Sequence, residues 1–336
     1  MTTIYDIAKA AGVTATTVSN VLSGKGSVSA ATRARVLKYV HELEYQPNLI
    51  ARSLIKGRTG VIGLVVGNLD NPFYAEITAE VERLAYAAGL RVFTTSLSGD
   101  DQEGQKMLGD LVLRRVDGIL VTSGAWSQQT IQSVVAPNFP VVYCIWEDEW
   151  QDSMLCIPID LTQGGRLAAE HLLALGHRRI GVITHINNDG RCSHQSRVNG
   201  FQEILANHDV AFDPALLQAG QSSMEGSKAA AYRLLTHSDP PTAIFATNDV
   251  MAIGALSAAW ELGVQVPRDL SIVGLDNIAL AKYITPPLTT VVIDQVTILS
   301  QAIKLLLASI EGQQVVSLPT FPVTLVARGS TGPCLR

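Results

Sequence analysis

Residues 1–23 read MTTIYDIAKAAGVTATTVSNVLS and hold two short helical patterns. Thr3 and Asp6 form a Thr-x-x-Asp capping pattern that opens a short helix. Ile4, Ile7, Ala8 and Ala11 give that helix one apolar face. Gly12 breaks it, and Val13 follows as a plug. Thr14 caps a second helix that exposes Ala15, Thr16, Ser19 and Asn20, while Val18, Val21 and Leu22 pack back on the first. Two short helices joined by a glycine-containing turn make a helix-turn-helix, whose second helix enters the DNA major groove. An N-terminal helical cap on a larger domain is the alternative. The small polar face of the second helix, suited to base edges, weighs against it.

After this pair, Ser29 caps a third helix over about Ala30–Leu43. Val36, Leu37, Val40 and Leu43 fall at helical spacing and are expected to close a three-helix core. So small a core is only marginally stable by itself. Residues 46–60, QPNLIARSLIKGRTG, follow. Pro47 stops what precedes it, Asn48 can cap a short helix over Leu49–Ile55, and Gly57 can end it. One or two turns of isolated helix are unstable in water. The segment is either an ordinary linker or one that folds only when clamped against DNA and a partner chain. Leu54 is then a candidate apolar wedge for the minor groove.

The chain of 336 residues is long enough for two or three units, and its 47% hydrophobic content supplies a large core. The net charge of −5 hides an asymmetry. Residues 1–59 hold Lys9, Lys25, Arg33, Arg35, Lys38, Arg52, Lys56 and Arg58 against only Asp6, Glu42 and Glu44. A basic module on an acidic body is the electrostatic footprint of a nucleic-acid binder, with a merely solvated basic surface as the alternative. The polar start leads straight into a helix, so no signal peptide is expected, and no apolar run is long enough to span a membrane. Cys144, Cys156, Cys192 and Cys334 lack C-x-x-C or His spacing. Neither metal, cofactor nor disulfide is expected, and a reducing cytoplasm fits.

From Val61 strands and helices alternate: VIGLVV, a helix from NPFY, RVFTTS, a helix, DGILVTS, a helix, PVVYC. A second set follows, with strands in RRIGVIT, TAIFATND and SIVGLDN, and ends in helix Ile298–Ile310 and strand PTFPVTLV. The pattern predicts an α/β chain: an all-α head, then two doubly wound parallel-sheet lobes. Ligands in such sheets sit at the carboxyl ends of strands, here Gly67–Asn71, Ser96, Thr122–Gly124, Ile145–Glu147, His185, Asn248, Asp249 and Asp276. Facing strand ends of two lobes make a cleft for a small ligand.

Nine stretches then match one family: YDIAKAAGVTATTVSNVLSG, VSAATRARV, YQPNLIARSL, NPFY, LLALGHRRIGVIT, RVNGF, FATNDVMAIGAL, VPRDLSIVGLDN and PPLTT. Along essentially its full length the chain resembles the lactose/galactose repressor family of bacterial transcription regulators. The resemblance implies a head at 1–46, a hinge at 47–59 and an effector-binding core at 60–336. The core's first lobe would hold about 60–159 and 292–320, and its second about 160–291 and 321–336. It implies a cytoplasmic, nucleoid-associated homodimer on a roughly palindromic operator, controlled by a small-molecule effector, without a membrane. Ala15, Thr16 and Asn20 match the main base-reading sites, and Asn can pair with adenine while Ala or Thr meets a thymine methyl. No arginine stands at Asn20, so an Arg–guanine contact is absent there. Tyr5, Thr14, Thr17, Ser19, Ser29, Thr32 and Asn48 match phosphate contacts, which position without specifying. For Tyr5 and Thr32 a packed ring and a helix-start hydroxyl are equally good readings. Leu54 would intercalate with its dimer mate, with Ala51 facing it.

For the effector, the resemblance assigns Phe73 and Tyr74 to the first-strand wall and Thr122 to the third strand end. It makes Arg197 the anchoring arginine, with Asn248 and Asp276 as polar groups of the second lobe. A guanidinium that donates and a carboxylate that accepts suit vicinal hydroxyls. An interlobe salt bridge without a ligand is the alternative. Departures leave the ligand class open. Ile145 and Trp146 stand where many sugar-binding members have an Asp, Ile293 fills another pocket position, and Gln221 replaces a tryptophan. Arg191 and Ser193 fall where the purine repressor uses an Arg and a Thr, and Arg191 is equally readable as an exposed loop residue. A sugar or sugar derivative is favoured, with a sugar acid, sugar phosphate or purine as alternatives. The lactose repressor's leucine-heptad tail has no counterpart here, which favours a dimer over a tetramer. A solute-binding protein without a DNA role is argued against by the basic head. An enzyme is argued against by the lack of a metal spacing or triad among His171, His177, His185 and His194, with His177 expected to cap or pack.

Overall fold

The chain, a computed structural model described over residues 2–24, 26–45, 57–96, 101–122, 128–146, 155–186 and 192–335, divides into two compact units, Met1–Gly60 and Val61–Arg336. In the first, α1 (Ile4–Ala11), α2 (Ala15–Ser23) and α3 (Ala30–Glu42) follow one another. Each begins where the sequence supplies a side-chain cap. Thr3 and Asp6 form a reciprocal capping box, Thr14 accepts from the Thr17 amide, and Ser29 accepts from that of Thr32. Gly12 ends α1 in the left-handed conformation at φ 62°.

The core of this unit is Ile7, Ala8, Ala11, Val18, Val21 and Val36, flanked by half-buried Tyr39, Val40 and Tyr45. The stripe on α3 differs from the expected one. Leu37 and Leu43 are 47% and 39% exposed. Leu37 lies about 100° round the helix from buried Val36, and Leu43 is already the C-cap. Tyr39 and Tyr45 fill the volume instead.

In the second unit, the first lobe runs β1 (Val61–Val66), α4 (Pro72–Ala87), β2 (Arg91–Ser96), α5 (Asp101–Leu113), β3 (Gly118–Val121), α6 (Gln128–Val134), β4 (Val141–Trp146) and β5 (Leu155–Pro158). Its strands pair in parallel in the order β2-β1-β3-β4-β5. The second lobe holds α7 (Leu161–Ala174), β6 (Ile180–Thr184), α8 (Gln195–Asn207), β7 (Leu217–Ala219), α9 (Met224–Leu235), β8 (Ala243–Ala246), α10 (Asp249–Glu261), β9 (Ser271–Asp276) and β10 (Thr289–Val292). The chain then returns to the first lobe for α11 (Gln295–Ile310), which packs on α4, β3 and β4, and ends with β11 (Thr324–Val326) on the second sheet. That sheet has the order β11-β10-β9-β8-β6-β7. Without β11, the two sheets share one winding, with order reversals between β1 and β3 and between β6 and β8. Such reversals open the ligand crevice of doubly wound sheets.

Three strands leave no mark in the sequence pattern. β5 and β7 are four and three residues long, too short for a periodicity. β10 is carried by TTVV within PPLTTVV, which reads as a connection. β11 is shorter than PTFPVTLV and antiparallel to β10, so the second sheet is mixed rather than wholly parallel. Two of the crossing segments pair with each other: Phe321 donates its amide to Pro158 O at 2.9 Å and accepts from the Asp160 amide at 3.1 Å.

α7 and α8 approach so closely that only glycine fits at their contact. A Cβ on Gly165 would lie 1.9 Å from the carbonyl oxygen of Arg197, and one on Gly200 would lie 2.0 Å from that of Thr162. Gly165→Ala must therefore push α8 away. It is expected to destabilise the chain by about 1–3 kcal/mol, as overpacking does. Thermal unfolding followed by circular dichroism checks this, and an unchanged midpoint would refute the close packing.

Candidate DNA-reading head and effector cleft

In the head, the residues expected at DNA divide by exposure. Tyr5 is 74% exposed on α1, so its ring is not packed. Thr14, Thr16 and Ser19 are exposed, while Ala15, Thr17 and Asn20 are partly buried. Ala15 packs against the three-helix core. Asn20 reaches across to the loop, where its amide would meet a Cβ on Gly26 at 3.2 Å. The Thr14 and Thr17 hydroxyls lie 3.0 Å apart, and the Ser29 hydroxyl donates to Thr32 Oγ1 at 2.9 Å. Thr32 is thus held as a helix-start hydroxyl. Asn48, Ala51 and Leu54 lie outside the described residues.

In the second unit, the carboxyl ends of both sheets collect polar groups. On the first lobe Asn71 caps α4, accepting from the Phe73 amide at 3.0 Å, with Pro72 in the first turn. Phe73 is buried in the core, whereas half-buried Tyr74 packs against Gly67 at the end of β1. The two rings meet edge to face at 5.3 Å. Thr122, after β3, donates its hydroxyl to Val65 O at 3.1 Å. Ile293 is buried in the core. The Trp146 side chain and all of Arg191 lie outside what is described.

On the second lobe the sequence-derived pair is brought together. Arg197, on α8, and Asp276, at the end of β9, are 5% and 3% exposed. Arg197 Nη1 is 3.6 Å from Asp276 Oδ1 and also donates to Thr247 O. Both belong to one lobe, so an interlobe bridge between them is ruled out. Asn248 accepts from the Met251 amide at 2.8 Å and so caps α10. Ser193 and Gln221 are exposed, the latter at φ 55° in a turn.

The sequence lists His185 as a strand end but gives no role to the other polar groups bonded near it. His194 Nδ1 is 2.8 Å from Thr247 Oγ1, which donates to Thr184 Oγ1 at 3.2 Å. Cys192 Sγ is 3.3 Å from that Thr184 hydroxyl, and His185 Nδ1 is 2.9 Å from Ser222 Oγ. Burial first, then the charge of Arg197 and the nearby His185, hold His194 well below the usual histidine range, so it is neutral at pH 7. The available signal is its place three residues before Arg197, the side of α8 that faces the strand ends. The lobes are joined by Glu76 of α4, whose Oε1 accepts from the Ala279 amide at 2.8 Å, three residues beyond Asp276.

His177 has no part in this cleft. It is buried at the other ends of the strands, its ring nitrogens bonded to Thr242, Ser271 and Gly332. It packs the last segment down, as its position before β6 suggests.

A profile for "Bacterial regulatory proteins, lacI family" matches residues 3–48, and one for "Periplasmic binding protein-like domain" matches residues 169–331. The HTH-type transcriptional regulator DegA of Bacillus subtilis is 38% identical over 293 residues, covering 86% of each chain. The chain belongs to the LacI family. The HTH-type transcriptional repressor PurR of Haemophilus influenzae is 34% identical over 98% of both chains. Among solved structures, the Lac repressor dimer bound to operator and the anti-inducer ONPF superposes with a TM-score of 0.86 at 29% identity, covering 98% of this chain and 99% of the other. This LacI-family chain is a DNA-binding transcriptional regulator, and its relatives are regulators rather than enzymes. Among the described residues, no helix is long and apolar enough to cross a membrane.

The buried pair gives a direct stability test. Arg197→Met removes the guanidinium from beside the buried Asp276 carboxylate and is expected to cost about 3–5 kcal/mol. Adding Asp276→Asn should recover part of that loss. A double-mutant cycle by urea unfolding reads it, and strictly additive losses would show that the two do not interact.

Proposed function

We propose that this regulator works as a homodimer in the bacterial cytoplasm, placing two copies of α2 in successive major grooves of a roughly palindromic operator. A hydroxylated small molecule, a sugar or sugar derivative, binds between the lobes and sets the grip on DNA. The observation that carries the effector half is the buried Arg197–Asp276 pair at the order-reversal side of the second sheet. A donor fork beside an acceptor matches adjacent hydroxyls, and Tyr74 offers a half-buried ring at the facing strand end. Thr122, Asn248, Ser193, Gln221, Trp146 and Arg191 remain candidate contacts around it.

Two further observations support the DNA half and the dimer. α2 exposes Thr16 and Ser19, small groups that allow close approach to bases. β2 is an exposed sheet edge carrying Phe93 at 41% exposure, and Trp260 and Tyr283 stand 81% and 80% exposed on the second lobe. Open edges and large bare aromatics are covered in stable proteins by a partner, here a second copy. The name PurR and the operator-bound Lac dimer point the same way.

Because α2 has no arginine to read guanine, the segment around Asn48, Ala51 and Leu54 should supply much of the affinity. Leu54→Ala is expected to weaken binding to DNA selected by the protein itself at least about tenfold, as loss of an intercalated wedge would. Fluorescence anisotropy checks this, and unchanged affinity would remove the wedge. A thermal-shift screen with ribose, galactose, gluconate, glucose 6-phosphate and hypoxanthine tests the ligand class. A ligand that binds only the folded chain raises its midpoint, by about 2.7 kcal/mol of added stability at a hundredfold excess over Kd. The shift should disappear in Asp276→Asn. A shift that persists there would place the ligand elsewhere.

A further inference from the structure

We propose that Asp249 is a positioning residue for the cleft: it fixes the left-handed turn at Asp276–Asn277 and thereby holds the Asp276 carboxylate beside Arg197. This rests on Asp276 being a ligand contact, as proposed above. Asp249 opens α10 at a strand end and is fully buried.

Its geometry is that of an acceptor built for one loop. Oδ2 accepts the Ile278 amide at 2.9 Å, and Oδ1 accepts the Thr290 hydroxyl at 2.5 Å. The Asn277 amide also donates to this carboxylate, and lies 3.4 Å from Thr290 Oγ1. The carboxylate sits so close to β9 that a Cβ on Gly274 would be 2.2 Å from Oδ1. Only glycine admits the acid there. The loop that it holds is strained: Asp276 has φ 123° and Asn277 φ 56°, conformations that non-glycine residues rarely adopt. Such a turn persists only when its surroundings over-determine it. Asp249 supplies that from below, and Arg328 supplies it from the side by donating to Asn277 Oδ1 at 2.6 Å and Leu288 O at 2.7 Å.

A buried carboxylate is costly, and this one shows it. Burial pushes Asp249 up to about 6, against the opposing pull of the Thr290 hydroxyl, the Ile278 amide, the Arg328 charge and the Asn277 amide. Arg328 is the charged group that acts on it, while the nearby turn's own carboxylate, Asp276, pairs with Arg197. A folded value above the unfolded one means that the group's contribution to stability is full at low pH and is lost as pH rises through about 6. The bonds to the loop run the other way, because an ionised carboxylate is the stronger acceptor. Across one pH range, global stability and loop order should therefore move in opposite directions.

Hydrogen exchange by mass spectrometry on the full chain, read on peptides spanning 275–282 and, as control, 180–184, tests this without any ligand. In the unaltered chain, protection at 277 and 278, corrected for intrinsic exchange, should rise between pH 5 and pH 8. Asp249→Asn keeps the shape, so its loop protection should be flat with pH while its melting midpoint gains on the parent toward pH 8. Asp249→Ala should lose at least about tenfold of the loop's protection with the control peptide unchanged. Loop protection that is independent of pH in the unaltered chain, or equal in parent and Asp249→Ala, would overturn the proposal. If Asp249→Ala fails to fold, the parent and Asp249→Asn profiles decide. Because no ligand is present, failure here leaves the loss of thermal shift in Asp276→Asn as a separate test of the cleft.

Discussion

Everything in the sensor turns on keeping a guanidinium buried beside a carboxylate at the mouth of a sheet. Arg197 and Asp276 are almost without solvent, and ions so placed lose several kcal/mol of hydration each unless geometry returns it. The fold meets that demand with packing. α8 is drawn against α7 through Gly165 and Gly200, which sets the height of Arg197 over the sheet. β9 ends in a strained turn that swings Asp276 towards it, and Asp249 and Arg328 brace that turn. The same loop continues to Ala279, whose amide is bound by Glu76 on the other lobe. A ligand that pulled on Asp276 would thus act on α4 along this short run of chain.

The head is organised differently. Its core is six small or medium side chains with flanking tyrosines, and its helices begin at side-chain caps rather than at strong propensities. That leaves α2 free to carry short polar groups outward. Such a surface allows close approach, and it carries no arginine or lysine.

Much of this is legible in the residues. The caps at Thr3, Thr14 and Ser29 and the break at Gly12 stand in the sequence as they stand in the fold, because capping is a local interaction. The long alternating segments also locate nearly all major strands and helices. What escapes is set by tertiary context. β5, β7 and β10 are short and take their extended form from neighbouring strands. Leu37 falls outside the core and Tyr39 packs on it because a helical stripe read by spacing leaves its flank undetermined by about one residue. In the cleft, Arg197 and Asp276 come from family motifs, while the His194–Thr247–Thr184 chain joins residues far apart in sequence, and only the place of His194 three residues before Arg197 hints at it. Asp249 stands next to Asn248, yet only the bond to Ile278 reveals its use.

Under the proposed function, occupancy of the cleft and affinity for DNA are one linked equilibrium. Coupling of this kind is commonly worth about 1–3 kcal/mol, which is roughly a 5- to 150-fold change in affinity. The most direct measurement is the dissociation constant for DNA selected by the protein, taken by anisotropy with and without a saturating ligand that raises the melting midpoint. A change of at least about fivefold, in either direction and absent in Asp276→Asn, is the predicted result. Equal affinity with the cleft empty and full would contradict it.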